Sequence, residues 1–322
     1  MEIVLNRVTE ARFAGLFLLF ALSGCAVAQE ETAVCPPETG AALQVLGSGG
    51  PIADDGRASS SYIVWVDGRS RVLIDAGGGA FLRFGEASAK FEDLDFIGLS
   101  HFHTDHSADF PALLKSGNFS DGENDLYVAG PDGRGPFPSL NDYLEELLGA
   151  GGAYAYLGGY LDGTDGLRRI RPATVLARTS QPIFQAESGS GPIRVFAMPV
   201  PHGIVPSVAF RVEVGERSVV FSSDQNGSDD NFIDFAGGAD LLIAHFAIPE
   251  VAGRIARRLH AQPSTWGEMA ARSDTKHLLL SHFMRRSLRQ LEANVGEVER
   301  QFDGRVSLAE DLLCVPLSTE PP

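Results

Sequence analysis

Cysteine is nearly missing from this chain. There are three in 322 residues, at positions 25, 35 and 314, and no two stand close enough in sequence to form a thiolate metal site. Any metal must therefore be held by imidazole and carboxylate. Positive charge is scarce too: 26 lysines and arginines face 42 aspartates and glutamates, a formal charge of -16 at pH 7. So negative a surface repels a phosphate backbone instead of releasing its counterions, and a nucleic-acid partner is not expected. The sequence shows no repeat at a solenoid period and no polar linker long enough to divide it. With 44% hydrophobic and 21% charged residues, disorder and coiled coil are excluded, and one domain of mixed strands and helices is the economical reading.

Near the start, Arg7 and Arg12 precede the apolar run Phe13 to Leu22, and small residues follow. That run is shorter than the ~20 residues of a spanning helix and has the layout of a secretory signal. Leu22-Ser23-Gly24-Cys25 fits a bacterial lipobox, in which Cys25 is lipidated and becomes the first mature residue. Ala26-Val27-Ala28 also fits ordinary signal cleavage, which would release a soluble exported protein. The expected organisation is a signal peptide over 1-24, a tether over 25-42 and one catalytic domain over 43-322. The expected location is the periplasm or cell envelope, with Cys25 as membrane anchor. Cys35 and Cys314 then remain, either paired by an oxidising compartment or as two unrelated thiols.

Leu43 to Leu46, Tyr62 to Val66 and Arg71 to Asp75 read as strands, rich in branched or aromatic residues and bounded by turn formers. Phe96 to Ser100 and Leu126 to Ala129 continue the pattern, with a helix over Ala108 to Lys115 between them. A second helix is expected over Leu140 to Leu148. The Gly-rich stretch after it carries Tyr154, Tyr156 and Tyr160, either as a flexible loop over a pocket or with its rings packed on the core. Strands resume at Val195 to Val200, Ser207 to Val214, Ser218 to Ser222 and Leu241 to Ala244. Helices over 263–273 and 286–302 flank a strand from His277 to Leu280.

Chemistry concentrates in His101-Phe102-His103-Thr104-Asp105-His106, three imidazoles and a carboxylate directly after a strand. His101 and His103 can converge on one ion while Asp105 and His106 face a second. Further ligands stand at later strand ends: His202 in Val200-Pro201-His202-Gly203, Asp224 in Ser222-Ser223-Asp224, and His282 in Leu280-Ser281-His282. Singly, each fits a turn former or cap; as an ordered set behind the first motif they complete two metal sites.

On these residues the sequence resembles the metallo-β-lactamase superfamily, and within it the branch of ribonuclease Z and related phosphodiesterases and arylsulfatases. The resemblance runs from Leu46-Gly47-Ser48-Gly49-Gly50 to His282, and Leu73-Ile74-Asp75-Ala76-Gly77 stands where that family keeps a buried supporting aspartate. It implies an α/β fold, a four-layer αββα sandwich with the site at one edge of two sheets. It also implies that His101, His103 and His202 hold one Zn²⁺ and Asp105, His106 and His282 a second, with Asp224 between them. Mn and Fe also suit such ligands. Asp105 would orient a metal-bridging hydroxide that attacks an ester.

His260, in Leu259-His260-Ala261-Gln262-Pro263-Ser264-Thr265, stands where this branch has a histidine that contacts the phosphate or protonates the leaving group. The alternative is a partly exposed histidine at a helix entry. His245 ends a strand as the family's does, but Phe246 replaces the glutamate expected next, so the orientation of His260 loses a carboxylate. His277, beside Lys276, reads as structural. Gly47-Ser48-Gly49-Gly50 is followed by Pro51 and by Asp54-Asp55 where a dinucleotide site needs a helix, so a Rossmann reading fails. The expected function is an exported zinc hydrolase acting on a small phosphodiester or sulfate ester. A carboxylic ester, lactone or β-lactam hydrolase is the second reading, and a lipid-anchored metal-site binding protein without turnover the third.

Overall fold

The run Ser61–Val66 is apolar at five of its six positions and buried at all six, as expected of a strand covered on both faces. It belongs to a computed structural model that describes residues 35–317 apart from 121 and 123. The leader, the lipobox with Cys25 and the start of the tether lie outside the described residues. Among the described residues, fourteen strands divide equally between two sheets. In the first, β1 (Ala41–Gly47), β2 (Ser61–Val66), β3 (Arg69–Ile74), β4 (Phe96–Gly98), β5 (Leu126–Pro131) and β6 (Ile170–Val175) lie side by side in chain order. The second takes β7 (Phe184–Ala186), β8 (Ile193–His202), β9 (Val205–Val214), β10 (Arg217–Phe221), β11 (Leu241–His245), β12 (His277–Ser281) and β13 (Arg305–Leu308), again in order. The last strand, β14 (Cys314–Pro316), returns to pair with β1.

β1 to β3 pair antiparallel and β3 to β6 parallel. Likewise β7 to β10 pair antiparallel and β10 to β13 parallel. Parallel neighbours need crossovers, and each crossover carries a helix on the outer face of its sheet. Leu43, Val45, Tyr62, Val64 and Phe96 of the first sheet meet Val195, Ala197, Phe210 and Val212 of the second in the central core, which continues to Trp266 and Met269 of helix Pro263–Arg272. Ile63, Trp65, Leu73 and Ile97 turn the other way, onto Phe110, Leu113 and Leu144 of the helices outside the first sheet. The layers are therefore helix, sheet, sheet, helix, the expected αββα sandwich in one domain.

Some elements depart from expectation. The helix expected from 108 begins at Thr104, ends at Ser107, and resumes as Phe110–Gly117. The one expected over 286–302 is split into Arg285–Leu288 and Leu291–Glu299. The tyrosine-rich stretch is not a loop over a pocket: Ala155–Leu157 and Gly159–Asp162 form short helical turns, and the buried Tyr160 donates its hydroxyl to the Leu114 carbonyl at 2.7 Å. A phenol that finds a backbone acceptor can be buried, and this one anchors the stretch to the core outside the first sheet. Cys35 and Cys314 form a disulfide with Cα atoms 5.7 Å apart, joining the segment before β1 to β14 across 279 residues. Among the described residues no helix is long and apolar enough to cross a membrane.

Candidate metal centre

In open α/β sheets the carboxyl ends of parallel strands are where ligands collect. β4 ends at Gly98, and the chain passes Ser100 and His101 into the helical turn Thr104–Ser107, which carries Asp105 and His106. His202 closes β8, Asp224 follows β10 by three residues, His245 closes β11 and His282 follows β12. The sheets bring all of these to one rim.

Two sets of ligand atoms form there. In the first, His101 Nε2 lies 3.1 Å from His103 Nδ1, and His202 joins them. In the second, His282 Nε2 lies 3.3 Å from His106 Nε2 and 3.2 Å from Asp105 Oδ2, which is itself 3.4 Å from His106 Nε2. Asp224 stands between the sets. Its Oδ2 is 4.0 Å from His101 Nε2, 3.7 Å from His202 Nε2 and 3.8 Å from His106 Nε2, while its Oδ1 is 3.3 Å from His282 Nε2. All seven ligand residues read from the sequence are thus brought together.

The layer behind them fixes which nitrogen faces inward. Buried Asp75 accepts from the Ser100 backbone N–H at 2.7 Å, from Ser100 Oγ at 2.8 Å and from His106 Nδ1 at 2.7 Å. Since the Ser100 hydroxyl donates to Asp75, its oxygen accepts from His101 Nδ1 at 3.2 Å. His202 Nδ1 donates to the Leu259 carbonyl at 2.8 Å. In each case the Nδ1–H is committed outward and the Nε2 lone pair is left facing the centre, the tautomer a metal ligand needs.

Electrostatics agree at His101 and His103, whereas His106 has to give up a proton from Nε2 to bind an ion. Burial drives His101 well below the ordinary imidazole range, with His106 adding to the effect, and burial with His202 lowers His103. His106 moves the other way: burial lowers it, but Asp105 and Asp75 outweigh that and raise it well above its usual value. Burial would raise both carboxylates, yet His106 and His282 hold Asp105, and His282 with His260 holds Asp224, well below the carboxylate range. Neutral imidazoles with lone pairs 3.1 Å apart and ionised carboxylates repel their own kind unless a cation lies among them. His202 Nε2, His260 Nδ1 and His282 Nδ1 are buried without a hydrogen-bond partner. On donor type, protonation and unpaired lone pairs, the cluster fits divalent metal.

His245 is inside this cluster. Its Nδ1 donates to Asp224 Oδ1 at 2.9 Å, its ring stacks on His282 at a centroid distance of 4.7 Å, and burial lowers its pKa to about 4. It can orient Asp224, and it also lies close enough to join a metal set with His106, Asp224 and His282. His260 is buried, not partly exposed: its ring is 5.2 Å from His202 and its Nδ1 3.7 Å from Asp224 Oδ2. Burial, with His282 among its neighbours, lowers it to about 3. Phe246 packs into the core against Phe283 and offers nothing to His260. The loop after His260 is held instead by Glu250, which accepts from the Ser264 N–H at 2.9 Å and from Ser264 Oγ at 2.7 Å. His277 is at the opposite end of β12 from His282, bonded through Nε2 to Ser307 Oγ at 2.9 Å, a structural position.

Two glycines bear on the site. A Cβ at Gly77 would lie 2.2 Å from the Asp105 carbonyl oxygen, and one at Gly50 would lie 2.9 Å from His282 Cε1. In the sequence Gly50 stands out only as part of a glycine run that opens the family resemblance and fails as a dinucleotide loop. The signal it carries is closeness of backbone to a ligand ring, which only tertiary structure supplies.

A two-sheet sandwich with this His/Asp cluster at its rim defines the class of metallo-β-lactamase-fold hydrolases. Residues 70–283 match the family model described as the beta-lactamase superfamily domain, and the chain belongs to that superfamily. Ribonuclease Z of Nocardia farcinica is 26% identical over 313 residues, spanning 85% of this chain and 97% of that one. The metallo-β-lactamase-fold protein YhfI of Bacillus subtilis superposes with a TM-score of 0.65 at 21% identity, covering 85% of this chain and 98% of its own. A diphosphatase from the PhnP family superposes at 0.57 with 18% identity, covering 86% and 100%.

Proposed function

We propose that the chain is an exported, lipid-anchored, zinc-dependent hydrolase that cleaves a phosphodiester or sulfate ester of a small molecule. The observation that carries this reading is the Asp224 carboxylate, which lies within 4.0 Å of imidazoles from both ligand sets. His101, His103 and His202 would hold one ion, Asp105, His106 and His282 the other, with Asp224 shared. When bound, the ions supply Lewis acidity for activating water and stabilising charge on the ester oxygens.

The protein's own part is positioning. Asp75 fixes His101, through Ser100, and His106, while His245 holds Asp224. Asp105, kept ionised by His106 and His282, can accept a proton-bearing hydrogen bond from the attacking water. His260, lowered to about 3, is neutral at pH 7. It is therefore suited to donate one N–H to an ester oxygen. Of the two roles implied by resemblance, contact with the reacting anion is the one its environment supports.

Export is supported by the Cys35–Cys314 disulfide, which suits an oxidising compartment. A small substrate is supported by the formal charge of -16. The ribonuclease name of the relatives favours a second reading, in which the phosphodiester belongs to RNA. Both readings are tested by metal analysis of the purified protein and by turnover of bis(p-nitrophenyl) phosphate, p-nitrophenyl sulfate, nitrocefin and an RNA oligonucleotide. Cleavage of the first or second, with about two zinc ions per chain, is the expected result. Cleavage of RNA alone would move the assignment to the second reading, and no turnover by metal-loaded protein would sink both.

A further inference from the structure

Beside the cluster, and lined in part by His202, lies a cavity of about 320 Å³. It opens between the ends of β5 and β6 in the first sheet and the β8–β9 hairpin in the second, where the sheets part at the rim. Val175, Leu176, Val200 and Val205 give it apolar walls, and His202 is among its lining residues. Pro199, Pro201 and Pro206 also line it; a proline has no N–H, so three backbone donors that a polar guest would need are missing from that wall. Leu176, at the mouth, is 73% exposed. The charged groups, Asp132 and Arg134, are both exposed and of opposite sign. A half-open pocket whose strand walls are mainly valine, leucine and proline and whose lining includes the metal-facing His202 fits one kind of guest: the hydrocarbon arm of an ester whose reacting anion sits on the cluster.

We infer that this cavity is a substrate subsite for an apolar alkyl or aryl group, so that the preferred ester is amphiphilic. The inference rests on the hydrolase reading. Its size is in the lower range of small-molecule sites, enough for a chain of several carbons or one to two rings. Removing each methylene from water contributes about a fourfold gain in affinity, and the gain should appear mainly in KM, because the arm is bound equally in the ground and transition states.

The test uses the full-length, zinc-loaded chain and a series of n-alkyl p-nitrophenyl phosphates from methyl to octyl. In parallel, the affinities of methyl phosphate and n-octyl phosphate are measured by titration calorimetry, which does not depend on turnover. Expected is a kcat/KM that climbs about fourfold per added methylene over the first few carbons, carried by KM, with octyl phosphate binding at least tenfold more tightly than methyl phosphate. Val205→Asp should flatten both trends. Because Val205 is buried, Leu176→Asp serves as the second variant; its exposed position tolerates charge without loss of fold, and it should halve the slope or more. Turnover that does not depend on chain length, with equal affinity for both phosphates, overturns the subsite and leaves the hydrolase reading standing. Tighter octyl phosphate binding that the variants weaken, with no ester cleaved, keeps the subsite and overturns the hydrolase reading. A chain-length trend untouched by either variant overturns the subsite as well.

Discussion

Asp105 shows how much one side chain is asked to do at this site. It lies almost out of water, 3.2 Å from His282 Nε2 and 3.4 Å from His106 Nε2, and is kept ionised by them against the penalty of burial. Replacing it with alanine removes a carboxylate that orients water without removing any apolar packing. Asp105→Ala should lower turnover by at least ~100-fold while the far-UV circular dichroism stays as in the wild type; an active variant would refute the role. Gly50 tests the support behind the ligands. A methyl group 2.9 Å from His282 Cε1 must push that ring away, and displaced supporting contacts cost on the order of tenfold in metal affinity. Gly50→Ala is thus expected to lose zinc to a chelator about ten times more readily, with its unfolding transition still cooperative. Equal retention would show that the contact is slack. The seven residues that meet at the rim were readable from sequence only as an ordered set behind the motif from His101 to His106, since a lone histidine or aspartate at a strand end also fits a turn. Asp75 and the strand-end place of His245 were readable only through resemblance, and the bond of His245 to Asp224 and the contact of Gly50 were not, since both depend on partners many residues away.

Elements divide the same way. β2, β8 and β9 stand out in sequence because a strand buried on one or both faces is marked by branched and aromatic residues. The edge strands β7, β13 and β14 have three or four residues each and are half exposed, so neither alternation nor a run is long enough to register. Helix Arg254–Leu259 has no fully buried residue and no side-chain cap, and a helix exposed all round leaves no periodic trace. Yet its last residue offers the carbonyl that orients His202. Backbone conformation marks the rim: Asp75, Ser223 and His282, which follow β3, β10 and β12, all have φ between 55° and 60°. Non-glycine residues adopt that region at a cost and are held there by their surroundings. Helix Pro263–Arg272 begins beneath Glu250, whose carboxylate takes a backbone N–H and a hydroxyl of the first turn. Glu250→Ala should therefore cost about 1 to 2 kcal/mol in urea unfolding. It should also lower kcat with zinc content unchanged, since the freed loop carries His260. Wild-type stability and kcat together would show that the contact does not hold the loop.

Across the whole molecule, the two sheets repeat one plan, an antiparallel meander that passes into three parallel crossovers. No sequence repeat announces it, because what is shared is the order and direction of strands and not side chains. The fold was legible as a layered α/β sandwich from the spacing of its strands and from resemblance. The closing of its ends was left open in the sequence, and the structure pairs Cys35 with Cys314. A loop of that length confers up to about 5 kcal/mol by chain entropy, so reduction, or Cys35→Ser, should shift the urea midpoint clearly downward. Unchanged midpoints would leave the bond without a stabilising role. The leader's assignment is settled by fractionation: Cys25→Ser is expected to move the protein from the membrane to the soluble periplasmic fraction, and persistent attachment would contradict the lipobox.

The side chains of the cluster are drawn from both sides of the sandwich. His101, His103, Asp105 and His106 hang from the first sheet, and His202, Asp224, His245 and His282 from the second. Cations seated among them would act as a clasp across the seam, and whatever binds only the closed form adds its binding energy to closure. Zinc starvation would then loosen the body itself, and proteases would register the shortage as readily as any substrate.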